Sequence, residues 1–294
     1  WNPSNYTKKF YGPSPLRIGI ERSRNLMTVR LAQNIGIDTV ADYAERFGIV
    51  DRMPRLLSMA LGAGETTLLQ ITTAYAMLVN GGKRIVPAFL DRIQDRNGKT
   101  LLRHDARPCQ GCQIETWEGR EPPTLPDQRP EVADPRSVYQ VVSMLQGVVQ
   151  RGTGRRVKAV GKPIAGKTGT SNDSFDTWFI GFTPDLAVGV YVGFDKPKTL
   201  GRGETGSSVA APIFRDFMKR ALAGRAAIPF RIPRGIRLVR VNPATGHMAR
   251  VGDRRVILEA FKPGTEPNEM RRVLDGSEGS SAFTTPNRAR RGLY

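Results

Sequence analysis

Apolar positions along the 294 residues change their period several times, and each change marks an element. From Pro15 the spacing predicts a helix, because proline suits a first turn and Leu16, Gly19 and Ile20 fall on one face. It breaks near Ser23-Arg24-Asn25. A second helix is expected from Leu26 to Ile35, with Gly36 as its C-cap. Asp38 or Thr39 then caps a third, which buries Val40, Tyr43, Ala44 and Phe47 and stops at Gly48. Leu61-Gly62-Ala63-Gly64-Glu65-Thr66-Thr67 leads into an apolar helix over 68–79. This loop lacks both the Walker ending and the dinucleotide glycine spacing, so it reads as a threonine-capped helix start.

Ile85 to Gln94 and Lys99 to His104 read as a small hairpin around Asp95-Arg96-Asn97-Gly98, since Asn-Gly favours a tight turn. Residues 105–135 are rich in proline, glycine and charge, and are expected to form a long excursion outside the core. Asp134 and Pro135 start a helix with Val138, Val141, Val142, Leu145 and Val148 inward, ending at Gly152-Thr153-Gly154. A strand over 165–170 and a hairpin over 176–194, turning at Thr183-Pro184-Asp185, share one sheet. A last helix runs from Ala210 or Ala211 to Leu222, with Pro212 in its first turn and Ile213, Phe214, Phe217 and Met218 as apolar contacts. Helices first, then adjacent antiparallel strands and a closing helix, argue an α+β fold. We divide the chain into a domain over 1–225, a strand-and-turn extension over 226–274 and a basic tail over 275–294, expected to be disordered.

Composition adds two constraints. The chain is 39% hydrophobic and 24% charged, as in a soluble globular protein, and no apolar run is long enough to span a membrane. It opens on Trp1 within structured sequence, so we read it as a fragment whose anchor, if any, lies elsewhere. The net charge is +18, with 17 Lys/Arg against 7 Asp/Glu over 215–294. Such a surface suits a polyanion such as acidic wall polymer. No zinc-finger spacing or RNA-binding signature accompanies it, so nucleic acid is not read as a partner. Cys109-Gln110-Gly111-Cys112 has no second pair; a local disulfide stapling a loop is favoured over redox or metal chemistry, although His104 lies near enough to add a ligand. No metal site is expected.

Candidate chemistry centres on Lys167-Thr168-Gly169-Thr170. An edge strand with an ammonium and two hydroxyls can take an extended anionic peptide by strand addition. Far upstream, Ser23-Arg24-Asn25 sits in a break between helices. Only His104 and His247 are present, and neither lies in the motif-bearing core, so a serine nucleophile here needs lysine as its base.

With these motifs in place, residues 1–225 resemble the transpeptidase domain of class A (bifunctional) penicillin-binding proteins. The matching pieces are Leu16-Arg17, Ser23-Arg24-Asn25, Arg46-Phe47-Gly48, Ala60-Leu61-Gly62, Gly152-Thr153-Gly154, Ala165 to Thr170, Asp176 to Pro184 and Ala210-Ala211-Pro212-Ile213-Phe214. Pro233-Arg234-Gly235-Ile236, Thr245-Gly246 and the run from Glu259 to Thr265 resemble the segment C-terminal to this domain in the 1A type.

The resemblance implies the penicillin-binding protein and serine β-lactamase fold, with peptidoglycan D,D-transpeptidation of D-Ala-D-Ala stem peptides, β-lactams as inhibitors and no cofactor. It implies that Lys167 moves protons with Ser23, and that Asn25 bonds the substrate amide. Thr168 and Thr170 would hold the terminal carboxylate, and Gly169 would let the substrate backbone approach. The Thr170 N–H would serve as an oxyanion donor, a contribution of about 3–4 kcal/mol in such sites. A periplasmic position, a membrane anchor and a glycosyltransferase domain upstream belong to the same implication, and a homodimer stays open. One family element is missing. No serine is followed three residues later by lysine, so the nucleophile pair Ser-x-x-Lys is absent and the chain is expected to be inert alone. A class B penicillin-binding protein is the nearest rival; a non-catalytic basic module for wall polymer or nucleic acid is the rival from another class.

Overall fold

Lys167 lies on an edge strand, and the strand pairing shows why. A computed structural model describes residues 1–267 apart from 106, 110, 111, 113–115, 117, 118, 120, 122 and 124. β3 (Ala165–Thr170), β4 (Asp176–Phe182) and β5 (Ala187–Gly193) form an antiparallel sheet in that order. The register sets Lys167 opposite Ile180 and Gly169 opposite Trp178. The β4–β5 turn closes where expected, with Thr183 N–H donating to Leu186 O and the Thr183 hydroxyl to Asp185.

Alternation along these strands divides the core into two layers. Ala165 and Phe182 face a cluster with Ala74 and Met77 of α4 (Leu68–Val79) and Val138, Val142, Leu145 and Val148 of α5 (Pro135–Gln150). Burying each large side chain contributes about 1.5–3 kcal/mol. Both helices have defined starts. Thr67 and Gln70 form a reciprocal capping box, and Asp134 accepts from the N–H groups of Arg136 and Ser137. On the other face Phe179 meets Phe214 of α6 (Ala211–Ala221), with Val157, Ile164, Met218 and Leu222 around them. Helices on both sides of an antiparallel sheet give the α+β architecture read from the sequence.

Several local expectations change. Pro15 is the N-cap of α1 (Leu16–Glu21) and lies just outside its first turn. α2 (Asn25–Ile35) begins at Asn25, and α3 (Ile37–Arg46) starts directly from Gly36 at φ 87°, so Asp38 lies in the first turn. Tyr43 is 46% exposed, and Ala41 and Phe47 fill the buried face. On α6 the inward stripe is Ala211, Phe214, Met218 and Leu222, leaving Ile213 and Phe217 48% and 51% exposed. The early hairpin narrows to β1 (Arg92–Gln94) with β2 (Thr100–Arg103), a short exposed pair without a core face to extend it. The excursion ends sooner than 135. Glu131 bridges to Lys83, and Val132 and Ala133 are already buried. Within it, Cys109 and Cys112 form a disulfide.

Beyond α6, β6 (Arg237–Val241) pairs antiparallel with β7 (Ile257–Phe261). This segment docks on the rest of the chain. Phe230 packs edge-on against Phe182, and Gln140 Nε2 donates to Ala260 O. The 275–294 tail lies outside the described residues.

Candidate active site

The corner that presents Ser23 is a helix end of a particular kind. Arg24 N–H donates to Gly19 O at 2.9 Å and Ser23 N–H to Ile20 O at 3.3 Å, the two bonds of a Schellman ending. Its left-handed position is normally glycine. Here it is Ser23, at φ 54°. A side chain in that conformation costs about 1–2 kcal/mol, and it holds the hydroxyl clear of both helices.

Lys167 reaches this hydroxyl across 144 residues of sequence: its Nζ donates to Ser23 Oγ at 2.7 Å and to Thr168 O at 3.1 Å. Burial pulls the Lys167 pKa down to about 8. Neither hydrogen-bond acceptor carries a charge to offset that loss of hydration. An amine so placed can shed its proton near neutral pH and then accept one from a neighbouring hydroxyl.

The edge itself is directional. Ser171 N–H donates to Asp176 O, so residues in step with it, Gly169 and Lys167, turn their backbone toward β4. Thr168 and Thr170 therefore turn N–H and C=O to the outer side. The Thr168 hydroxyl pairs with Thr153 Oγ1 at 2.7 Å, and Thr170 Oγ1 accepts from Gly206 N–H at 2.9 Å. Ser207 Oγ donates to Thr153 O, which anchors the start of the 206–210 turn beside the strand. Gly169 has a packing reason of its own. A Cβ there would lie 3.0 Å from Trp178 Cβ, in the cross-strand pair.

Asn25 is the first residue of α2, and its Nδ2 donates to Ser4 O at 3.0 Å. Asn5, buried in the same loop, accepts from Leu26 N–H, while the Arg24 guanidinium lies 3.0 Å over the Tyr11 ring. Residues 4–11 thus brace the corner from outside. The structure brings Ser23, Lys167 and Thr168 together around one ammonium and sets Thr170 along the same edge. Asn25 follows Ser23 by two residues, with its amide committed to the loop.

Sequence reasoning missed the support beneath the corner. Glu21, the last residue of α1, is 1% exposed and takes Arg17 Nη1 at 3.2 Å and Arg151 Nη2 at 2.5 Å. Its carbonyl accepts from Thr153 N–H. Gly147 on α5 makes room for it: a Cβ there would overlap the Glu21 carboxylate. Arg17, 5% exposed, pairs bidentately with Glu259 of β7 and donates to Ser143 O and Oγ. Charged residues in amphipathic helices read as surface, and the only sequence signal was the Arg17/Glu21 pair four residues apart. Among the described residues no group of three or more His, Cys, Asp or Glu lies together as a metal site would.

Residues 1–219 match the family model described as the penicillin binding protein transpeptidase domain. Penicillin-binding protein 1A of Rickettsia bellii is 49% identical over 264 residues, covering 89% of this chain and 33% of that protein. Its counterpart from Neisseria gonorrhoeae is 38% identical over 238 residues, covering 80% and 28%. The crystal structure of penicillin-binding protein 1A from Haemophilus influenzae superposes with a TM-score of 0.77 at 32% identity, over 92% of this chain and 43% of that one. PonA1 of Mycobacterium tuberculosis, solved in complex with penicillin V, shares the fold with a TM-score of 0.63 at 22% identity, over 78% and 61%. The chain spans about a third of the length of the Rickettsia relative.

Proposed function

This chain belongs to the penicillin-binding protein transpeptidase family, and from that premise we propose that it holds the D-Ala-D-Ala end of a peptidoglycan stem peptide for acyl transfer to serine. The observation that carries the reading is the 2.7 Å contact between Lys167 Nζ and Ser23 Oγ at the outer edge of β3.

Such a peptide is extended and ends in a carboxylate. The outward N–H and C=O groups of Thr168 and Thr170 add it as a further strand. The two hydroxyls and the Lys167 ammonium receive its carboxylate. The Thr170 N–H serves as an oxyanion donor. As an acyl-accepting serine from outside these residues bonds to the carbonyl carbon and the D-Ala–D-Ala amide bond breaks, its hydroxyl proton passes by way of Lys167 and Ser23 to the departing D-Ala amine. Asn25 takes the substrate amide with whatever capacity its bond to Ser4 leaves. Gly169, without a Cβ, lets the substrate backbone come close. β-Lactams compete for the same carboxylate position, and no cofactor enters acyl transfer of this kind.

No serine here precedes lysine by three residues, so the acyl-accepting pair is proposed to come from sequence outside these residues, with the chain inert alone. The 1A-type relatives favour the bifunctional class over class B and over a basic binding module. For the parent protein we propose a glycosyltransferase domain, a membrane anchor and a position on the periplasmic face of the inner membrane. No helix among the described residues is long and apolar enough to cross a membrane.

Two measurements test this. Adding an acetylated peptide ending in D-Ala-D-Ala is expected to shift the Thr168 and Thr170 amide resonances, and Lys167→Met is expected to abolish the response. Fluorescent penicillin is expected to leave no denaturation-resistant label on the chain. Silence at Thr168 and Thr170 at millimolar peptide, or tight salt-sensitive DNA binding, would overturn the substrate reading; a stable label would overturn the claim of inertness.

A further inference from the structure

Glu259 stands 242 residues from Arg17 and outside the 1–219 span of the family model, yet it completes a four-residue ionic cluster under the Ser23 corner. All five N–H donors of Arg17 are used, by Glu259, Glu21 and Ser143. Two cations, Arg17 and Arg151, face two carboxylates, Glu21 and Glu259, so the cluster is neutral as built. α1 is only six residues long and has no side-chain cap at its start. A helix this short does not hold its own position. Its register is set by Arg17 at one end of the cluster and Glu21 at the other, and Ser23 comes two residues later.

We propose that Glu259 is a positioning residue: through Arg17 and Glu21 it fixes α1, and so sets the Ser23 hydroxyl against Lys167. The β6–β7 segment is then part of the site's support, with β7 also fastened to α5 by Gln140, and Lys262 just after β7 beside Asp134, the N-cap of α5. A second route leaves the same cluster. Glu21 O receives Thr153 N–H, and Thr153 Oγ1 meets Thr168 Oγ1, so one buried carboxylate residue touches both sides of the corner. The proposal rests on the transpeptidase reading only in what the corner is for; the geometry it concerns can be measured without ligand.

The test uses the full 294-residue chain with Glu259→Gln and, as a stability control, Val241→Ala in the core of the same strand pair. Glu259→Gln is expected to raise the Lys167 titration midpoint, followed by side-chain NMR, by at least about one pH unit as water reaches the ammonium, opposite in sign to the lowering that the one unmatched positive charge left on Arg17 and Arg151 would exert by itself. Amide exchange at Arg24, Asn25 and Leu26 is expected to quicken at least about tenfold over the control. Should this variant not fold, Glu259→Asp keeps the charge one methylene short and is expected to move both readouts the same way by less. In the unmodified chain, mild denaturant is expected to open β7 and the corner amides in one step. Titration and exchange indistinguishable from Val241→Ala would overturn the proposal, as would β7 opening while the corner stays protected. Peptide binding enters neither readout, so loss of the substrate reading would leave this result standing, and the reverse.

Discussion

Arg17 and Lys167 are both cations removed from water in the same domain, and their neighbours treat them in opposite ways. Burial works against the Arg17 charge, but the hydrogen bonds and charges of Glu259 and Glu21 outweigh it, so its pKa lies above the ordinary value. Lys167 has a hydroxyl and a carbonyl as partners, and its pKa falls to about 8. One cluster is built to stay ionised. The other is built so that its proton can leave. The first is a structural tie; the second has the property that proton-transfer chemistry needs.

The contrast between the two cations breaks most visibly at Arg17. Arg17→Met leaves Glu21 and Glu259 without their shared guanidinium, and is expected to lower unfolding free energy by about 3–5 kcal/mol in denaturant titration. Lys167→Met removes a desolvated charge and is expected to cost little at pH 7, or to stabilise. The sign comes from linkage. Lys167 binds its proton less tightly folded than unfolded, so wild-type stability rises with pH from about 8 toward the ordinary lysine value. Relative to Lys167→Met, the gain is on the order of 2 kcal/mol after allowance for partial exposure. A flat difference across that window would mean that Lys167 is an ordinary surface amine. The smallest effect is at the corner itself. Ser23→Gly is expected to stabilise by about 1 kcal/mol by relieving the left-handed serine, whereas Ser23→Ala keeps the strain. If thermal melts rank both alike, the strain is not stored at Ser23.

Much of this architecture is legible in the sequence where the signal is local. The turn at Thr183 and the capping at Thr67 and Asp134 each depend on residues within a few positions of one another, and the strand of Lys167 pairs with the next strand along the chain. Helix faces are legible only in part. On α6 both 213/217 and 214/218 are apolar pairs, and the sheet covers one of them. Tyr43 failed for the same reason: a periodic apolar position marks a face, and a neighbour must arrive to bury it. Of the cluster of Arg17, Glu21, Arg151 and Glu259 only the Arg17/Glu21 spacing left a trace, because its members are charged and its longest pair spans 242 residues.

By itself, then, the sequence determined the α+β order, the strand that carries Lys167-Thr168-Gly169-Thr170, the kinship of its motifs and the absence of Ser-x-x-Lys. Propensity, capping and alternation act over short distances, and a motif keeps its residue spacing wherever the chain goes. Only the tertiary structure decided that Ser23 meets Lys167, that a non-glycine residue takes the left-handed place at the helix end, and that β7 reaches back to hold α1. Those outcomes turn on which groups lose water together, and a charge's cost in the interior depends on the partner that comes in with it.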